Sequence, residues 1–246
     1  MRSRFISAVA LYGPKSGPVR DFLAGVQATI AAHIGDRFRP YSLDQVHGTL
    51  IALDGVPDPA TGAIVNEYYR TRTGTGREMD LRRAMDILAS HLAHPLHVRL
   101  GGYQRHQEFG FTSRGQHLYR RSFSVQDNAF VLVGWPVASL AGAGRPLDEL
   151  RRDMNAAHVL HRYHVRATDV DNDFHLVIGH HAGASASSLE RAEAAVRGQL
   201  AAAGIDIAIS LDDVKIVAAD SRTLAPPLYV SGIPADEAAL RALMSR

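Results

Sequence analysis

The 246-residue chain contains no cysteine. That excludes disulfides, thiolate nucleophiles and any cysteine-based zinc site. Lysine is almost missing too: Lys15 and Lys215 are the only two, so nearly all the positive charge is arginine. A formal net charge of +2 and a pI near 9.0 are too mild to announce a general nucleic-acid binder. Arginine does suit bidentate phosphate contacts, although the abundance of Ala, Arg and Gly reads first as the mark of a GC-rich genome. No apolar run approaches the roughly 20 residues that span a bilayer. No signal-peptide cleavage pattern follows the basic start Met1-Arg2-Ser3-Arg4. The expectation is a cytoplasmic protein that does not contact a membrane. Hydrophobic content of 46% and charged content of 21% are ordinary for a globular chain. The length suffices to bury a core unaided, so a monomer is favoured.

What is present is a pattern that runs twice. Residues 5–12 alternate like a strand and stop at Gly13-Pro14. Ser16-Gly17-Pro18 then opens a helix whose apolar stripe is Val19, Phe22, Leu23, Val26 and Ile30, with Gly35 as its stop. A strand follows at 46–53, Val-His-Gly-Thr-Leu-Ile-Ala-Leu. Residues 55–76, rich in Pro and Gly, read as a long loop. Leu81, Ala84, Met85, Leu88 and Leu92 mark a second helix, and residues 97–103 a further strand. Residues 105–121 are irregular and basic, with Arg105, Arg114, Arg120 and Arg121 among Phe109, Phe111 and Tyr119. Such a mixture suits single-stranded nucleic acid or a solvated hairpin, the second being favoured.

From Phe123 the order restarts: a strand at 129–135, a helix with the stripe Leu147, Leu150, Met154 and Ala157, and a strand at 173–179. Ser187-x-x-Glu190 then signals a capped helix carrying Leu189, Ala192, Val196 and Leu200. Closing strands and a short terminal helix follow. The organisation predicts an α+β fold of two lobes related by a pseudo-twofold. Each lobe would hold a mostly antiparallel sheet with helices on its outer face, about a central cleft. The whole, 1–246, is one bilobal domain: lobe 1 covers about 1–104 plus an insertion at 105–122, and lobe 2 about 123–246.

Each half places a histidine on an apolar strand, His47 and His175, 175 − 47 = 128 residues apart. Side chains alternate along a strand, so His47 and Thr49 share a face. An imidazole beside a hydroxyl suits a cleft in which an anion is held and protons move. A structural histidine in each strand is the competing reading.

These residues resemble the two-histidine phosphoesterase superfamily, which includes the 2′-5′ RNA ligase-like proteins and cyclic nucleotide phosphodiesterases. Its members carry a His-x-Thr/Ser motif on a strand of each of two lobes. His47-Gly48-Thr49-Leu50 matches in full, whereas His175-Leu176-Val177 has Val177 where the family has Thr or Ser. The resemblance implies a phosphodiesterase acting on a 2′,3′-cyclic phosphate or a related nucleotide or RNA-end phosphodiester, with neither metal nor other cofactor. His47 and His175 would be acid and base, in an order the residues leave open, and Thr49 would donate to phosphate oxygens. The alternative is a nucleotide- or RNA-end-binding module that does not cleave. Tyr12 and Trp135, each ending the first strand of its half, and Tyr103 after the third strand are candidates to stack on a base. Arg114 and Arg120 are candidates to reach a phosphate. His158, His161 and His164 have spacing that could mimic a metal site, and His180-His181 is another pair. With 13 histidines in the chain, such coincidences are expected.

Overall fold

The N-terminal alternation folds as strand β1 (Phe5–Ala10). In the computed structural model, which describes residues 4–245, helix α1 (Gly17–Ile34) follows, with Pro18 in the first turn where a missing N–H costs nothing. Most of Met1-Arg2-Ser3-Arg4 lies outside the described residues. Val19, Leu23, Val26 and Ile30 of α1 are buried, and the N–H of Gly35 donates to Ala31 O to close the helix. Strands β2 (Phe38–Pro40) and β3 (Gly48–Ala52) come next.

Residues 55–76 are not one long loop. They form a hairpin of β4 (Gly55–Pro57) and β5 (Ile64–Asn66), followed by helix α2 (Glu67–Thr73). The Pro and Gly residues are used up in tight turns. Asp58 Oδ1 accepts from the N–H groups of Ala60 and Thr61 at 3.0 and 3.1 Å, and Gly62 takes φ 73°. Asn66 caps α2 through Tyr69 N, and Gly74 ends it in the left-handed region.

Helix α3 (Leu81–His91), strand β6 (Leu96–Gly101), the single turn α4 (Leu118–Arg121), and strands β7 (Phe123–Gln126) and β8 (Ala129–Pro136) continue the chain. Then come α5 (Val137–Leu140), α6 (Pro146–Asp153), β9 (Phe174–His181) and α7 (Ala186–Ala202). Strands β10 (Gly204–Ile209), β11 (Val214–Ala219) and β12 (Tyr229–Ser231) and helix α8 (Glu237–Met244) complete it. Helix α7 starts slightly earlier than its Ser187–Glu190 box implies: Ser185 is the N-cap and accepts from Ser188 N.

Ten strands form one sheet, ordered β10-β6-β8-β9-β3-β1-β11-β12, with β2 also on β9 and β7 also on β8. Every pairing is antiparallel. The fold is therefore α+β around a large antiparallel sheet. Its two sequence halves interlock. Strand β6 pairs with β8 and β10, and β11 pairs with β1, so a boundary near residue 104 does not divide the sheet into two.

Alternation along the strands separates two faces. Ile6, Ala8, Leu132, Phe174, Leu176, Ile178 and Ile216 join the buried residues of α1, α3, α6, α7 and α8 in the main core. The opposite face carries two smaller clusters. One is Val131, Val133 and Trp135 of β8 with Tyr103 and Leu118; the other is Val9 of β1 and Val217 and Ala219 of β11 with Leu224. Between these clusters lie β3 and β9, the two central strands, and there the apolar face is interrupted.

Candidate functional site

The interruption is made by His47, Thr49, His175 and Val177. Gly48 pairs with Leu176 in the antiparallel register. Extended from that single pair, the register puts Thr49 across from His175 and His47, the residue just before β3, across from Val177, on the face away from the main core. Diagonal neighbours across such a pair lie roughly 7–8 Å apart, which suits two imidazoles flanking one phosphate. The glycine between His47 and Thr49 is required by packing: a Cβ there would sit 2.1 Å from Cζ of Phe174, whose ring covers Gly48 on the core side.

His47 Nδ1 lies 2.7 Å from Gln45 O. A carbonyl only accepts, so Nδ1 holds the proton and Nε2 keeps a free lone pair. Burial lowers the pKa of His47, the Gln45 bond opposes this, and the charge of Lys15 lowers it further. Lys15, whose Nζ donates to the carbonyls of Gly13 and Leu43, is itself lowered by burial to about 8. Thr49 Oγ1 has no hydrogen-bond partner among the described residues, which leaves it free for a ligand. The strand bulges just beyond: Val9 faces Thr49 and Ala8 faces Ile51, so Leu50 is the extra residue. Arg151, 2% exposed, clamps this bulge. It donates to Leu50 O at 2.9 Å and Thr49 O at 3.0 Å, and to the carbonyls of Asp171 and Asp173 at 2.8 and 3.1 Å.

His175 is held differently. Arg121 Nη2 lies 2.8 Å from its Nε2. A guanidinium only donates, so Nε2 is bare, and the neutral ring carries its proton on Nδ1. Asp173 Oδ2 is 3.6 Å from the same Nε2. This buried carboxylate also accepts from Trp135 Nε1 at 2.7 Å, Ser113 Oγ at 2.7 Å and Arg121 at 3.2 Å. Burial pushes the His175 pKa down, while the charges of Asp173 and Asp171 pull it back up. Neighbouring Asp171 is held below the ordinary carboxylate range: burial works against this, but His161 and Arg151 outweigh it.

Of the residues singled out from sequence, His47, Thr49 and His175 share this strip. Tyr12 lies beside it, its ring centroid 5.8 Å from that of His47 and its hydroxyl donating to Leu224 O. Arg114 also reaches it. At φ 50° its guanidinium lies 3.8 Å from Asp173 and 3.7 Å from Asp171. Trp135 and Tyr103 do not offer stacking platforms. They are 0% and 1% exposed and pack edge-to-face on one another at 4.8 Å, because the segment before α4 covers them. Trp135 instead orients Asp173. Arg120 is exposed and has no side-chain partner among the described residues; the buried member of that Arg-Arg pair is Arg121. Sequence reasoning does not find Arg121, Asp173, Lys15 or Arg151 as site residues. Asp173 alone has a signal, since two residues before His175 on a strand means the same face.

The histidines whose spacing could mimic a metal site each have a separate partner. His161 contacts Asp171 at 2.7 Å, His164 contacts Asp148 at 2.8 Å and His158 donates to Glu78 O. His180 contacts Tyr41. Asp171, Asp173 and His175 do bring one ligand atom each within 4.8 Å of the others. Arg151, Arg114 and Arg121 already serve those carboxylates, so a cation would have to displace guanidinium groups. The set is an ion-pair network. Among the described residues, no helix is long and apolar enough to cross a membrane.

No protein-family model matches the chain, and no curated protein matches it. Among solved structures, the crystal structure of TT0787 of Thermus thermophilus is 12% identical, over 87% of this chain and 86% of that one, with a TM-score of 0.35. A likeness at that level carries no argument about fold or function.

Proposed function

We propose that this protein is a metal-independent phosphodiesterase of the two-histidine phosphoesterase superfamily. It would open a 2′,3′-cyclic phosphate, or cleave a related nucleotide or RNA-end phosphodiester, by acid/base catalysis between His47 and His175. The observation that carries this reading is the Gly48–Leu176 pairing, which sets both histidines and Thr49 on one face of the two central strands.

The partners of the two Nε2 atoms divide the labour. His47 Nε2, with its lone pair free, takes the proton of the attacking water. Thr49 Oγ1 and the Lys15 ammonium receive the phosphate oxygens, where charge develops. An incoming phosphate also draws Arg121 away from His175. The freed Nε2 then takes up a proton, the resulting imidazolium is stabilised by Asp173, and the proton passes to the departing oxygen. Arg121 thus stands in for the hydroxyl that Val177 lacks.

The pseudo-twofold belongs to this proposal and has independent support. Ile178 is an extra residue in β9, as Leu50 is in β3, each three positions after its histidine. Gln27 of α1 donates to Ile178 O and Tyr41 O, a role like that of Arg151 of α6 at Leu50.

A second reading, a nucleotide- or RNA-end-binding module without catalysis, is favoured by Val177 and by the engagement of His175 Nε2 with Arg121. Hydrolysis of nucleoside 2′,3′-cyclic phosphates in the presence of EDTA separates the two. The phosphodiesterase reading expects turnover that survives chelation and falls about 10²-fold or more in His47→Ala and in His175→Ala. Turnover abolished by EDTA, or retained in both variants, removes it. Tight binding without turnover leaves the binding module.

A further inference from the structure

Beside the histidine strip lies a cavity of about 720 Å³ whose wall includes Phe109, Phe111, Arg114, Trp135, Arg145 and Val170. It also includes Asp173, the residue just before β9, whose carboxylate lies 3.6 Å from His175 Nε2, so the cavity and that histidine share a wall residue. Its volume is that of a site for a small organic ligand.

The charges divide between the two regions. Arg121, bonded to His175, places a cation on the strip, where an anion belongs. The cavity wall sets Arg114 and Arg145 against Asp169 and Asp173 and is balanced. Arg114 is further occupied by Asp171, Asp173 and the ring of Tyr163, 4.1 Å away. What remains for a ligand is apolar and neutral polar surface, with one cation at its edge: the exposed Arg145, whose side chain has no partner among the described residues. Phe109 and Phe111 are only half-buried, and Val170 is 44% exposed at the rim. The side-chain hydroxyls of Thr112 and Thr168 on the wall have no hydrogen-bond partner among the described residues.

We infer that this cavity is the subsite for the uncharged heterocyclic end, the nucleobase, of a substrate whose phosphate lies between His47 and His175. The inference rests on the proposed phosphodiesterase reading and adds to it a direction: the substrate extends from His175 toward the segment before α4, not toward Tyr12. Aromatic edges provide an apolar slot, and the two free hydroxyls meet the polar rim of a base.

Trp135, the only tryptophan in the chain, is part of the cavity wall and reports on occupancy. Adenosine 2′-monophosphate titrated against the full chain should change its emission, and inorganic phosphate should not. Phe111→Ala and the rim variant Val170→Asp should each raise the dissociation constant about ten- to a hundredfold. They should raise KM for adenosine 2′,3′-cyclic phosphate in parallel and leave kcat unchanged. With glycerol 1,2-cyclic phosphate, which has no base, both variants should match the parent. Equal effects on the two substrates, or none on either, overturn the subsite while the phosphodiesterase reading stands. Nucleotide binding that depends on Phe111 and Val170, without turnover of either substrate, supports the subsite and removes the reaction.

Discussion

Arg121 Nη2 and His175 Nε2 stand 2.8 Å apart, and the hydrogen between them belongs to the arginine. This contact occupies the Nε2 lone pair of a ring that burial already favours neutral, and it holds a cation at the histidine strip. The arginine's charge is one of the causes that lower the His175 pKa, after burial. Arg121→Met should therefore raise that pKa, read from the imidazole NMR signals across a pH titration. Turnover of cyclic phosphates should fall about 10–100-fold, the loss of one hydrogen bond to a charged group. Asp173 keeps Trp135 and Ser113 as donors, so the variant should remain folded. An unchanged His175 titration would show that the arginine does not control the ring.

The parts of this site that are legible in the sequence are those that local alternation dictates. His47, Thr49 and His175 can be assigned to one face because a strand has a period of two, and the organisation of the two halves suggests that their strands meet. Arg121 and Asp173 act through partners 52 and 38 positions away, and no spacing announces such a contact. Sequence favours Arg120 where the structure uses Arg121, because residues 118–121 form a single turn in which Leu118 and Arg121 face inward together. Trp135 misleads for a related reason: a position at the end of a strand says nothing about what covers it. The prolines and glycines of 55–76 look like loop when each serves a tight turn.

Acid should withdraw the stability that the buried histidines hold, although burial raises the Asp54 pKa to about 6 and that carboxyl works in the opposite direction as pH falls. Burial lowers the pKa of His161 to about 4, with Asp171 opposing the shift, and His47, His164 and His175 are lowered in the same direction. A histidine favoured neutral in the fold contributes fully above its unfolded pKa of about 6.5 and loses that contribution as pH falls toward its folded value. For His161 the loss between about pH 6.5 and 4 should approach roughly 3 kcal/mol. Urea unfolding at a series of pH values should show wild type losing stability there relative to His161→Gln, which can still donate to Asp171. A difference between wild type and His161→Gln that stays constant through that window would refute the assignment.

Gly48 tests how the two central strands are fitted together. A methyl group at this position would lie 2.1 Å from Cζ and 2.3 Å from Cε2 of Phe174, which is fully buried and has no open side toward which to swing. Gly48→Ala should cost about 1–3 kcal/mol of stability, the usual range for overpacking. Phe174→Leu should destabilise alone, yet recover part of the loss when combined with Gly48→Ala. That coupling, measured by a double-mutant cycle, is the signature of direct contact. Additive losses would mean that the strands do not meet in this register.

Thr49 and Val177 occupy corresponding places after their histidines, and only one has a hydroxyl. Thr49 Oγ1 makes no hydrogen bond within the described residues, so Thr49→Val removes nothing that the fold uses. Its stability should stay within about 0.5 kcal/mol of the parent. A bond from that hydroxyl to a phosphate oxygen, strengthened as charge develops, should instead appear in kcat, at about 10–100-fold. Val177→Thr adds a hydroxyl opposite His47, on a strand whose histidine is already served by Arg121. It should change kcat by less than Thr49→Val does. The comparison of the two variants on one cyclic substrate decides the matter: equal losses, or a larger effect at 177, would mean that Arg121 has not replaced the second hydroxyl and that the site is not asymmetric in the way its contacts imply.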